Sequence, residues 1–191
     1  MKKTYIGWHE VETMTQEILR QMHQDQWQPD YVVGLTRGGL VPANLISQYL
    51  EVPMETLKVS LRDDKNLPES NLWMAEDAFG MEPATENDYS WARGQPHLRK
   101  KILIVDDIND SGATINWIRQ DWQSGCYPDS PNWADVWGNS VRVAVLVDNE
   151  SSNCELPISY NAITVNKIED PQWIIFPWED FWMRGHSHLP K

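Results

Sequence analysis

The 191 residues suit one domain, and 11 Trp with 41% hydrophobic residues give the chain enough apolar surface to fold around a real core. Sixteen Lys and Arg against 28 Asp and Glu leave a net charge of −12. That charge repels a polyphosphate backbone, so no nucleic-acid partner is expected. Val11, Met14, Ile18, Leu19 and Met22 recur at helical spacing and predict an amphipathic helix over residues 8–23. Residues 31–35 read as a short β-strand that runs through Thr36-Arg37-Gly38-Gly39 into a second helix over 40–50, with Pro42 in its first turn. Another strand is expected over 54–61.

From 62 to 99 the chain carries Pro68, Gly80, Pro83, Gly94 and Pro96 among mixed charges, with no sustained period. A long inserted loop is the expectation there. Lys101-Ile102-Leu103-Ile104-Val105 is a continuous apolar run suited to a strand covered on both faces of a parallel sheet. Ile115, Ile118 and Trp122 then continue a helix toward Gly125, and a third unit starts with a strand over residues 141–147. The alternation predicts an α/β domain spanning 1–191, a mostly parallel sheet flanked by helices. The tail carries the aromatic string Trp173-Ile174-Ile175-Phe176-Pro177-Trp178.

The two cysteines, Cys126 and Cys154, are too few for a disulfide framework and lack metal-ligand spacing. With no signal-peptide run at the start and no apolar stretch of membrane-spanning length, a cytoplasmic protein with no membrane partner is expected.

The segment Ile104-Val105-Asp106-Asp107-Ile108-Asn109-Asp110-Ser111-Gly112-Ala113-Thr114 carries the chemistry. In an open α/β sheet, ligands sit beyond the carboxyl ends of the strands, so the acids at 106 and 107 face the site. Ser111, Gly112, Ala113 and Thr114 then lead into a helix whose first N–H groups can hold a phosphate. An anion cradle beside three carboxylates suits a ligand with a phosphate at one end and hydroxyls in its middle, often with a divalent cation. Two other readings stand beside this one: a plain turn with an N-cap, and the acidic pair of a phospho-acceptor domain, which would follow a first strand rather than lie past residue 100.

Residues Ile102 to Thr114 resemble the phosphoribosyl pyrophosphate (PRPP) signature of the type I phosphoribosyltransferases: apolar strand, two acids, two variable residues, Asp, Ser or Thr, Gly, and a Thr shortly after. Gly34 to Ala43 resembles the same family's pyrophosphate loop. Trp173 to Glu179 resembles the hood of its hypoxanthine/xanthine/guanine branch, which places the hood over residues 163–185. The resemblance implies transfer of the phosphoribosyl group of PRPP to a nucleobase, expected to be a purine, with Mg²⁺ and release of pyrophosphate.

The roles it implies fall on named positions. Arg37 and the Gly38 and Gly39 amides would grip pyrophosphate, after a Thr36–Arg37 peptide that is cis in the family. Asp106 and Asp107 would hold the ribose hydroxyls and the Mg²⁺, Ser111 to Thr114 the 5′-phosphate, and Asp110 would be the catalytic acid/base at purine N7. Trp173 would stack on the base while backbone at Ile174 reads its edge, and Glu179 stands where some hoods carry an acid near a second metal. Members often form dimers or tetramers, so a homo-oligomer is expected. Where 6-oxopurine enzymes place a Lys after the third strand, this chain has Val147-Asp148-Asn149-Glu150, and the Asn149 amide is the candidate replacement donor. Tyr89-Ser90 reverses the family's Ser-Tyr loop pair and receives no role. The competing reading is a catalytically weak PRPP-binding regulator of the same fold. A nicotinamide-dependent Rossmann protein is set aside, because no Gly-x-Gly-x-x-Gly follows a strand.

Overall fold

The computed structural model describes residues 2–59, 71–81 and 94–180. Tyr89-Ser90 and the tail histidines lie outside them. In chain order the elements are β1 (Lys2–Tyr5), α1 (Trp8–Gln24), β2 (Tyr31–Thr36), α2 (Leu40–Leu50), β3 (Met54–Lys58), α3 (Leu72–Phe79), β4 (Ile102–Asn109), α4 (Ala113–Gly125), α5 (Trp133–Val136), β5 (Val141–Asn149), β6 (Tyr160–Val165) and β7 (Gln172–Ile175). The main sheet has the order β3-β2-β4-β5-β6 and is parallel throughout.

Both faces of that sheet are covered, which is why β4 reads as an unbroken apolar run. Ile102 and Ile104 face α3, α4 and α5 within one core, alongside Phe79, Ile118, Trp122 and Trp133. Leu103 and Val105 face α1 and α2 within the other, alongside Val11, Ile18, Met22 and Ile46. Trp122 and Trp133 are fully buried, so part of the high Trp count is core filling. The period-3.6 reading of α1 holds at Val11, Met14, Ile18 and Met22, which are buried together with Thr15, while Leu19 is half-buried; Glu10 caps the helix start by accepting from the Gly7 N–H at 2.6 Å.

Three elements depart from expectation. The 62–99 excursion is not all loop: Leu72–Phe79 forms a helix whose Met74, Ala75, Ala78 and Phe79 are buried, and Pro96–Leu98 makes a 3-10 turn. The strand expected over 141–147, β5, is followed by another, β6, which forms the edge of the sheet. The four-residue β1 pairs in parallel with β7, Lys3 opposite Trp173, so the hood is a two-stranded sheet joining the two ends of the described chain. β3 is shorter than expected, whereas β4 and β5 each run on to the polar residues that reach the site.

Candidate active site

Two loops meet at the carboxyl ends of β2 and β4. The Thr36–Arg37 peptide is cis, Arg37 is exposed, and the following glycines lie against the acidic segment. A Cβ on Gly38 would stand 1.8 Å from Asp107 Oδ2, and one on Gly39 would stand 2.3 Å from the Val105 carbonyl and 2.8 Å from Asp106 Cα. No side chain fits at either position while the loops keep this distance. The sequence places two glycines there because Gly39 packs against the backbone of Val105 and Asp106 and Gly38 against the Asp107 carboxylate, and that packing brings Arg37 to the Asp106–Asp107 end of β4. The Asp107 carboxyl is pushed up to about 6, first by burial and then by the Glu179 carboxylate near it. Glu179 is itself oriented by the Phe176 N–H, which donates to its Oε2 at 2.8 Å.

The turn after β4 is open outward and braced from behind. Ser111 and Ala113 are exposed and Gly112 is buried. Gly112 takes φ +83°, the left-handed region, and a Cβ there would meet the Cys154 backbone N at 2.4 Å. The segment after β5 closes this back side: the Asn153 N–H donates to the Ser111 carbonyl at 3.1 Å, and Asn116 Nδ2 donates to the Asn153 carbonyl at 2.8 Å. Gly112 is the N-cap of α4 and has no side chain to cap it. Asp110 is therefore not its N-cap. The Ser111 hydroxyl accepts from the Ala113 N–H at 3.4 Å, and the start of α4 lies beside the exposed Ser111 and Ala113, where a helix N-terminus suits an anion.

Residues 4–180 match the family described as phosphoribosyl transferase domain. The chain belongs to that family. It is 20% identical over 206 residues to xanthine phosphoribosyltransferase 1 of Saccharomyces cerevisiae, the match covering 100% of this chain and 96% of that one. Against the xanthine-guanine phosphoribosyltransferase of Cereibacter sphaeroides the identity is 28% over 149 residues, 78% of this chain and 68% of the relative. The solved structure of a Helicobacter pylori xanthine-guanine-hypoxanthine phosphoribosyltransferase shares the fold at a TM-score of 0.63 and 19% identity, covering 97% of this chain and 99% of that one. The expected fold and reaction class, phosphoribosyl transfer from PRPP to a nucleobase, agree with membership of the phosphoribosyl transferase domain family.

Around Asn149 this phosphoribosyl transferase domain adds hydrogen bonds that the sequence does not announce. Asn149 is buried, and its Nδ2 donates to the Asp110 carbonyl at 2.7 Å. Its Oδ1 accepts from the Lys167 N–H at 3.1 Å and from the Ser151 hydroxyl at 2.7 Å. The amide expected to reach the base is engaged in bracing two backbones instead. Asn109, also buried, ties the neighbouring strand ends together by donating to Asp148 Oδ1 at 2.8 Å and Ser152 Oγ at 3.0 Å. One group at the Asp110 carboxylate is one the sequence analysis did not single out: Lys167 Nζ donates to Oδ1 at 2.7 Å across 57 residues of chain. Trp173 is 41% exposed and Ile174 buried, both held on β7 by β1. Among the described residues no three of His, Cys, Asp and Glu form a ready cation cage, and none of the helices is long and apolar enough to cross a membrane.

Proposed function

We propose that this chain joins a purine base to PRPP in a Mg²⁺-assisted reaction, yielding a nucleoside monophosphate and pyrophosphate. The observation that carries this is the contact of Gly38 and Gly39 with Asp106 and Asp107, because it sets the anion loop directly against the acidic pair at the end of β4. The 5′-phosphate would sit in the Ser111-Gly112-Ala113-Thr114 turn, the ribose hydroxyls on Asp106 and Asp107, and the pyrophosphate on Arg37 and the Gly38 and Gly39 amides after Thr36. Trp173 would stack on the base, the Ile174 backbone would read its edge, and Asn149 would hold Asp110 in place.

Two adjacent carboxylates at the end of β4 fit Mg²⁺, which usually takes one or two carboxylates and completes its octahedron with water and substrate oxygens. Asp106 and Asp107 would hold it, and when bound it supplies charge stabilisation to the departing pyrophosphate. In the transfer the base nitrogen lone pair forms the bond to C1′ of the sugar while the C1′–O bond breaks and its electron pair leaves with pyrophosphate. The proton on purine N7 passes to the Asp110 carboxylate. The ordering of these groups before reaction is the chain's main contribution. We further infer a cytoplasmic homo-oligomer acting on small molecules rather than nucleic acid, in keeping with the −12 charge.

The test is to mix the protein with PRPP, Mg²⁺ and a panel of bases and to measure pyrophosphate release. Base-dependent release with a purine is the expected result. Mg²⁺-dependent PRPP binding by calorimetry without turnover on any base would replace the enzyme by the PRPP-binding regulator.

A further inference from the structure

Asn116 stands one turn into α4, and its backbone and side chain engage the two sides of one close contact. The Asn116 N–H donates to the Gly112 carbonyl at 3.0 Å, closing the first turn of the helix. Its side-chain amide spans the segment after β5: Nδ2 donates to the Asn153 carbonyl at 2.8 Å, and Oδ1 accepts from the Glu155 N–H at 2.8 Å. Between those two residues lies Cys154, whose backbone is what Gly112 packs against, its N 2.4 Å from the place of a Gly112 Cβ. One residue therefore holds both walls. The Asn153 N–H adds a further tie by donating to the Ser111 carbonyl at 3.1 Å, and Arg119, on the same helix, pairs with Glu155. Residues 153–155 belong to no strand, so the Asn116 amide supplies the donor and acceptor that a neighbouring strand would give them. Helix propensity does not account for an asparagine at this point, because Asn is among the poorer residues for a helix interior. The bridge to the second segment does.

We propose that Asn116 is a positioning residue for the sugar 5′-phosphate, fixing the 153–155 segment against Gly112 and so the aim of the N–H groups at the start of α4. The inference rests on the proposed seat of that phosphate in the Ser111–Thr114 turn. Asn116 acts through Gly112 and Ser111, since its own amide is committed to the two backbones. A turn whose back wall can drift holds its donors out of line for part of the time, and a phosphate that needs several of them at once binds less tightly. The 5′-phosphate is remote from the bond that breaks and keeps its charge throughout the transfer. Its contacts are therefore as strong before the reaction as during it, and loosening them weakens binding without slowing the chemistry. The effect is also selective by ligand. Molecules with a sugar 5-phosphate lose affinity together, whereas pyrophosphate and the free base, which have none, do not.

The experiment compares Asn116→Ala and Asn116→Leu with the unaltered protein. Calorimetry measures the affinity for PRPP, ribose 5-phosphate and pyrophosphate, each with Mg²⁺, and steady-state kinetics gives kcat and the KM of PRPP and of a purine. Both variants are expected to bind PRPP and ribose 5-phosphate about tenfold more weakly and to raise the PRPP KM about tenfold, with kcat held within about threefold. Pyrophosphate affinity and the KM of the purine are expected to stay within about twofold of the parent. Leucine keeps the volume of the side chain and removes both hydrogen bonds, so equal losses in the two variants assign the effect to the amide. Three results would overturn the proposal: unchanged affinity for the sugar phosphates, an equal loss for pyrophosphate, or a loss in Asn116→Ala that Asn116→Leu restores, which would reduce the residue to packing. Should either variant fail to fold, the other carries the same comparison of ligands. Sugar-phosphate binding without turnover on any base would remove the proposed transfer reaction and leave the role of Asn116 to be decided by the affinities alone. An unaltered protein that binds neither PRPP nor ribose 5-phosphate would overturn both.

Discussion

The two ends of the site are built on different principles. The end proposed for the phosphoribosyl group is made largely of backbone: Gly39 lies against Val105 and Asp106, Gly38 against the Asp107 carboxylate, and the Ser111–Thr114 turn rests on the backbone of Asn153 and Cys154. The end proposed for the base is made of side chains brought together from far apart in sequence, Asp110 from the end of β4, Asn149 from β5 and Lys167 from the segment after β6. Backbone packing tolerates few residue types, so it leaves a short, fixed local pattern. Side-chain meetings leave none, because any polar residue at the right point in space will serve.

That difference governs what could be read from the sequence. The strand-acid-acid to Ser-Gly-Ala-Thr run and the Arg-Gly-Gly loop announced the phosphoribosyl end, and the 3.6-residue stripe of α1 and the apolar run of β4 announced the layers beneath it. Lys167 was invisible, being an ordinary lysine 57 residues from its partner. Asn149 was visible, but the carbonyl that takes one of its donors, at Asp110, is a main-chain atom with no sequence signature. The same holds for elements. The helix α3 has only eight residues between breakers, and β1, Lys2-Lys3-Thr4-Tyr5, has no apolar alternation because its partner is a two-stranded hood rather than the core sheet.

The sharpest way to break the comparison is at the backbone end. Gly38→Ala places a methyl where Asp107 Oδ2 stands, 1.8 Å away, so either the loop or the carboxylate must move. An expected loss of about 10³-fold in kcat/KM for PRPP follows from misplacing both the pyrophosphate grip and the acidic pair. Steady-state kinetics with a melting curve as control checks it, and near-parental activity in a folded variant would mean that the close approach has no bearing on catalysis.

At the side-chain end the effects should be smaller and separable. Asp110→Asn keeps the shape and removes the base, so kcat should fall about 10²-fold while PRPP affinity by calorimetry holds within threefold. A loss of PRPP binding equal to the loss of turnover would instead make Asp110 part of the sugar-phosphate site. Trp173→Ala removes a stacking face and should raise the KM of the base about tenfold, leaving the KM of PRPP alone. If both KM values rise together, Trp173 supports the hood rather than the base.

The smallest effect concerns stability, and it returns to the backbone end. In the folded protein the Asp107 carboxyl is pushed from 3.8 up to about 6 by burial and by Glu179, whereas the unfolded chain leaves it near its ordinary value of about 3.9. The folded state therefore binds the proton more tightly. The stability this contributes is full below pH ~4 and is lost as pH rises through about 6. Asp107→Asn carries no charge at any pH, so in metal-free buffer it should melt a few degrees above the parent at pH 7.5, with the difference vanishing toward pH 4. Adding Mg²⁺ and PRPP at pH 7.5 should reverse the order, raising the parent's Tm and leaving the variant's nearly still. Identical metal-free melting at both pH values would show that Asp107 is no burden in the empty fold. A crossing of the two curves would show a carboxylate kept at a cost to the resting protein because the bound state uses its charge.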